Sequence, residues 1–144
     1  DLVAATVEHV LADLRQFYAV RFAAAATHAT TPTDLLRLLW ECMSDPRLAA
    51  VYELYTQCRT DIELFTALQP VVDAHVHAVG ESATDVLDTL TMPLPHNARE
   101  QVALAILAMQ GLIVNNLAGT AVGSESALID VLADCFQHSA RGAS

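Results

Sequence analysis

Along most of the chain apolar residues recur at spacings of three and four, the signature of amphipathic helices rather than strands. Val3, Val7, Val10, Leu11, Leu14, Phe17 and Tyr18 form one stripe, with Glu8, His9, Asp13, Arg15 and Gln16 opposite, which predicts a first helix from about Leu2 to Ala26. Thr30-Thr31-Pro32-Thr33 breaks the pattern, and Thr33 is placed to cap a short second helix ending at Met43. Ser44-Asp45-Pro46 is a further stop and start, with Asp45 as cap and Pro46 in the first turn of a third helix that turns Leu48, Val51, Tyr52, Tyr55 and Cys58 inward. Thr60-Asp61-Ile62-Glu63 has the form of a capping box opening a fourth helix. Ile62, Phe65, Leu68, Val72, Val76 and Val79 mark its apolar face; Pro70 predicts a kink or early end, and Gly80 a stop. A short helix over Ala83–Thr91, a loop from Met92 to Asn97, and two closing helices, about Ala98–Ala118 and Glu125–Ala140, complete the pattern.

No stretch alternates with a period of two, and no repeat is visible, so the expected fold is all-α, a single-domain bundle of six to seven helices spanning residues 1–144. The last two helices differ in kind. The final one has a one-sided stripe of Leu128, Val131, Leu132, Cys135 and Phe136. Its predecessor is apolar nearly all round: Val102, Ile106, Met109, Ile113 and Asn116 gather on one side, and Leu104, Leu107, Ala108, Gly111, Asn115 and Ala118 on the other. Such a helix needs cover on both faces. The side carrying Ala108, Gly111 and Ala118 lets a neighbour come close and is assigned, with the stripe of the final helix, to a homodimeric four-helix contact; Gly111 against an internal helix is the other option. Val102–Ala118 is the most membrane-like stretch, but Gln110, Gly111, Asn115 and Asn116 interrupt it and no basic cluster flanks it, so a buried helix is expected instead of a span.

Composition sharpens this picture. Of 144 residues 53% are hydrophobic and 17% charged, more grease than one small monomer needs. Seven basic residues, all Arg, face 17 acidic ones for a net charge of −10, which argues against nucleic-acid binding by these residues. Cys42, Cys58 and Cys135 are odd in number and widely spaced, without a zinc pattern, and imply buried free thiols in a reducing, cytoplasmic setting. No secretory leader is evident at Asp1, and the chain opens inside a periodic apolar pattern, as a fragment separated from a partner domain would.

Four stretches carry a family likeness. Asp1-Leu2-Val3-Ala4-Ala5-Thr6-Val7 resembles the start of the long connecting helix after the DNA-binding head of TetR-family transcriptional regulators, and Leu35-Leu36-Arg37-Leu38-Leu39-Trp40 resembles the short helix beneath their effector pocket. Arg59-Thr60-Asp61-Ile62-Glu63-Leu64, with Pro70 after it, is similar to an R-x-D-x-E-L opening, and Met109-Gln110-Gly111-Leu112 to the x-x-G-L point in the first dimer-forming helix. The likeness spans the chain in order and helix number. It implies the C-terminal regulatory domain: a homodimer that binds a small effector and releases DNA through a helix-turn-helix head, which these residues lack, by moving the first helix.

Candidate chemistry is sparse. Asp73-Ala74-His75-Val76-His77 mimics a D-x-H-x-H metal motif, but on a helix His75 and His77 point about 200° apart and cannot share an ion. His75 is either a pocket polar group or a hydrogen-bonded core histidine, and His77 is expected to pair with Asp73. Leu36, Leu39, Trp40 and Met43 form an apolar ridge that is either core or pocket wall. Phe17, Tyr18, Tyr52, Tyr55, Phe65, Leu68, Met109, Ile113 and Asn116 could complete a cavity for a small, hydrophobic or neutral effector. No nucleophile elbow, dinucleotide loop, P-loop, H-E-x-x-H or paired-carboxylate site is present, so neither enzyme activity nor a cofactor is expected. The rival reading is a helical protein-interaction or dimerisation module without a small-molecule ligand; a solid core at Trp40 would favour it.

Overall fold

A computed structural model describes residues 2–28, 31–89, 94–120 and 123–141. The described residues form six helices and no strand: α1 (Leu2–Ala26), α2 (Pro32–Met43), α3 (Pro46–Gln57), α4 (Ile62–Thr89), α5 (Ala98–Leu117) and α6 (Glu125–Arg141). The all-α bundle expected from periodicity is therefore observed. The loop expected at Met92–Asn97 lies partly outside the described residues, as does Thr30 of the first break.

The helix starts follow local chemistry, with two shifts from expectation. The cap of α2 is Thr31, not Thr33: its hydroxyl accepts from the Asp34 amide while the Asp34 carboxylate accepts from the Thr31 amide, and Pro32 occupies the first turn. At α4 the cap is Asp61, not Thr60, because its Oδ1 accepts from the amides of both Glu63 and Leu64. Asp45 caps α3 as anticipated, accepting from the Arg47 amide at 2.9 Å. Gly119 ends α5 at φ 73°, where a side chain would be strained.

The larger difference is α4. It runs through both Pro70 and Gly80, so residues 83–89 of the separate helix expected over 83–91 are its final turns, and Leu90 and Thr91 lie outside the described residues. Pro70 deprives the Thr66 carbonyl of its helical donor, but both residues are exposed and water can serve that oxygen. Gly80 costs the helix about 1 kcal/mol. Against these costs stands apolar packing near both ends of the helix, Leu64, Phe65 and Leu68 in one cluster and Val86 and Leu87 in another. The seam of α4 with α1 is the most extensive helix–helix contact among the described residues.

Two apolar clusters fill the bundle. One joins Val7, Leu11, Leu14 and Tyr18 of α1 to Cys42, Leu48, Cys58 and Leu68. The other joins Leu35, Leu36, Leu39, Trp40 and Met43 of α2 to the inner face of α5 and to Ile129, Leu132, Ala133 and Phe136 of α6. Gln101 near the start of α5 donates to the Ser139 hydroxyl near the end of α6, so those two helices lie antiparallel.

Candidate functional site

The residues expected to surround an effector are not gathered around one chamber. Leu36, Leu39, Trp40, Met43, Met109 and Ile113 are packed in the α2–α5–α6 cluster, and Tyr18 and Leu68 in the α1–α3–α4 cluster. Tyr52 touches both clusters and Phe65 only the second. Tyr55 and Asn116 are exposed. Phe17 is an outward ring flanked by two guanidinium groups, Arg21 at 5.4 Å and Arg47 at 5.5 Å from its centroid. Arg21 is itself paired with Glu41, and Arg47 with Asp45 at 2.8 Å, so this corner is a clasp between α1 and the α2–α3 turn.

The nearest approach to a chamber is a void of about 20 Å³ lined by Phe22, Leu35, Leu36, Leu39, Val86, Leu87 and Val102. That is roughly the space of one water, in a lining with nothing to bond it. Of the expected pocket residues only Leu36 and Leu39 border it. Phe22, Val86 and Leu87 were not anticipated, because breaking the fourth helix at Gly80 separates Val86 and Leu87 from the α1–α4 seam.

Polar groups in the interior act as links. The Tyr18 hydroxyl donates to the Cys42 carbonyl at 2.6 Å, and burial raises its pKa. Gln110 Nε2 donates to the Tyr52 hydroxyl at 3.1 Å, tying α5 to α3, and burial again pushes the phenol up. Burial also lifts the Cys42 thiol to about 11.

His75 is half-buried, does not line the small void, and its buried Nδ1 finds no hydrogen-bond partner among the described residues. Desolvation, with the Arg15 charge adding to it, drops its pKa to about 4. His77 pairs with Glu81 at 3.3 Å instead of Asp73; a helix places i+4 as close as i−4, and sequence spacing alone does not choose. Among the described residues no group of three or more His, Cys, Asp or Glu is arranged to hold a metal.

What the fold does leave open is the outer face of α5 and α6. Val102, Ala105, Met109, Leu112 and Ile113 point into the core, while Leu104 and Leu107 stay 57% and 64% exposed. On α6 Val131 is 61% exposed and Cys135 is exposed. Between the two helices runs an open furrow of about 460 Å³, walled by Ala108, Gly111, Asn115, Ser124, Ala127 and Val131 among others. The face assigned to a dimer contact thus needs one correction. Leu132 and Phe136, at 6% and 2% exposure, belong to the core, because the stripe of α6 is wide enough that one edge turns inward and the other out. Leu104, Leu107, Ala108, Gly111, Asn115, Ala118, Leu128, Val131 and Cys135 are all exposed or half-buried.

Two further features set this face apart. From Gln101 to Ser124 the sequence holds no charged residue, in a chain of net charge −10. Gly111 sits in mid-helix, where it costs about 1 kcal/mol relative to Ala. A Cβ built there meets nothing within 4 Å, so no contact among the described residues accounts for the glycine. Among the described helices α5 is also the one long and apolar enough, by length and composition, to cross a membrane; 28% of that stretch is buried in the bundle. No family model, curated protein or solved structure matches the chain.

Proposed function

We propose that this chain is the homodimerising regulatory domain of a transcriptional regulator of the TetR kind, with the outer face of α5 and α6 meeting the same face of a second copy. The observation that carries the reading is that uncovered apolar face. Helices of 20 and 17 residues are about 30 and 26 Å long. Side by side, about 10 Å apart, they offer on the order of 600 Å², close to the roughly 800 Å² that each partner contributes to a standard interface. Charge supports the same occupant. Two strongly acidic chains repel over most of their surfaces and meet at least cost where charge is missing.

In this reading the acidic domain does not touch DNA. A cytoplasmic helix-turn-helix head outside these residues does so, and α1 is the helix that carries motion to it. Two heads must match half-sites about 34–36 Å apart or multiples of that, so a small shift of α1 is enough to weaken the grip. The effector is a small hydrophobic molecule, which enters by parting α2 from the α1–α4 seam at the 20 Å³ void. A ligand with a 100-fold preference for the parted arrangement supplies about 2.7 kcal/mol toward it.

Light scattering on the chain at micromolar concentration tests the dimer. The expected mass is twice 15.5 kDa, and paired Leu104→Glu and Leu107→Glu substitutions are expected to halve it. A strict monomer, or a chain that stays monomeric and sediments with neutral lipid vesicles, overturns the reading.

A second reading, a helical interaction module without a small-molecule ligand, is favoured by the solid packing around Trp40. A thermal-shift screen of hydrophobic compounds, with Trp40 fluorescence as second readout, separates the two. A ligand that raises Tm and moves the Trp40 emission supports the sensor; a dimer indifferent to every compound supports the module.

A further inference from the structure

The outer face of α5 is not uniform, and its relief constrains how a second copy sits. Leu107 and Val114, seven residues apart, lie within about 20° of each other around the helix and form a ridge; both are exposed. Beside the ridge, toward α6, Ala108, Gly111 and Asn115 form the floor of the furrow. Asn115 Nδ2 is engaged with the Gly111 carbonyl at 2.8 Å, which turns its amide down onto its own helix and keeps the floor low.

A twofold axis lying in the interface, parallel to the helices and between ridge and furrow, lays each ridge over the other copy's furrow. An axis across the helices would oppose ridge to ridge and leave both furrows empty. The cavity left by one excised large apolar side chain is on the order of 150 Å³, so the 460 Å³ furrow has room for about three such side chains. Leu107 and Val114 of the second copy use most of it. Because the contact is the same patch on both copies, it closes at two and does not propagate.

We infer that the homodimer is a ridge-in-furrow pair in which the two α5 helices run in the same direction and come closest at Gly111, whose missing side chain leaves room for the Leu107–Val114 ridge of the second copy. This rests on the dimer reading above and adds its register and point of contact. It also accounts for a mid-helix glycine that no neighbour among the described residues requires.

Sedimentation equilibrium of the whole chain, as wild type, Gly111→Ala and Gly111→Leu, tests it, with thermal melts of each at dilutions where it is monomeric. Gly111→Ala is expected to raise the Tm of the monomer, since its Cβ enters open space and alanine favours helix, while raising the dimer Kd at least tenfold. Gly111→Leu puts a large side chain at the point of closest approach and is expected to raise Kd a hundredfold or more. Opposite signs on folding and association are the signature of a glycine kept for a partner. A monomeric wild type overturns the dimer reading and this inference together. A dimer whose Kd is unmoved by both substitutions leaves the dimer reading standing and overturns this inference alone.

Discussion

Phe136 offers the sharpest separation between the core of this chain and its outer face. It is 2% exposed and sits in the α2–α5–α6 cluster, whereas Val131, one and a half turns earlier on α6, is 61% exposed. Phe136→Ala removes a buried ring whose surroundings belong to three helices and cannot collapse freely, so the cost is about 3–5 kcal/mol. For a domain of ordinary stability, roughly 5–15 kcal/mol, that is a large share of the total. With a urea dependence of about 2 kcal/mol per molar, the midpoint moves down by about 2 M. Val131→Ala, by contrast, removes an exposed side chain and is expected to change the stability of the isolated subunit by less than about 0.5 kcal/mol. Its effect falls on the dimer Kd. The assay is urea unfolding followed by far-UV circular dichroism at two protein concentrations, since only an association term depends on concentration. If Phe136→Ala costs under about 1 kcal/mol in the subunit yet weakens association more than Val131→Ala, Phe136 lies in the interface and the placement of α6 is refuted.

Three further outcomes follow from the polar groups. His75 has a folded pKa of about 4, below its ordinary 6.5; the neutral form is the folded one, so its contribution is complete above pH 6.5 and is lost as pH falls toward 4. Urea midpoints at pH 7 and pH 5 are expected to draw closer together in His75→Leu than in wild type, and an unchanged difference refutes the assignment. Tyr18→Phe deletes the buried bond to the Cys42 carbonyl and is expected to cost about 1–2 kcal/mol in the same assay. Among the caps, Thr31→Ala and Asp61→Ala are expected to cost about 1 kcal/mol each, while Thr33→Ala and Thr60→Ala cost little; a reversal of that order returns the caps to the positions the sequence pattern favours.

Much of the fold was legible because it is local. Periodicity alone marked α1, α2, α3, α5 and α6 nearly to the residue, and Asp45-Pro46 announced the start of α3 in its own chemistry. The division of α5 into two faces was readable in part, since 3.6 residues per turn fixes which side chains share a side: Val102, Met109 and Ile113 turn inward together, whereas Asn116, grouped with them, is exposed. The errors have a common cause. Gly80 and Pro70 carry local penalties of about 1 and 3 kcal/mol, and a sequence pattern sees the penalty without the α1 seam that outweighs it. The choice of Thr33 over Thr31 and of Thr60 over Asp61 turned on one or two residues, where several capping side chains compete.

The candidate site divides in the same way. Order along the chain by itself determined the helix types, the acidic charge and the apolar, uncharged character of one flank of α5. Only the tertiary structure decided that Leu132 and Phe136 turn inward, that the residues around Trp40 close into solid packing, and that His75 is stranded beside Arg15. Those outcomes depend on which helices become neighbours and how far apart they settle. That is a balance of burial summed over whole faces, and no single residue's spacing contains it.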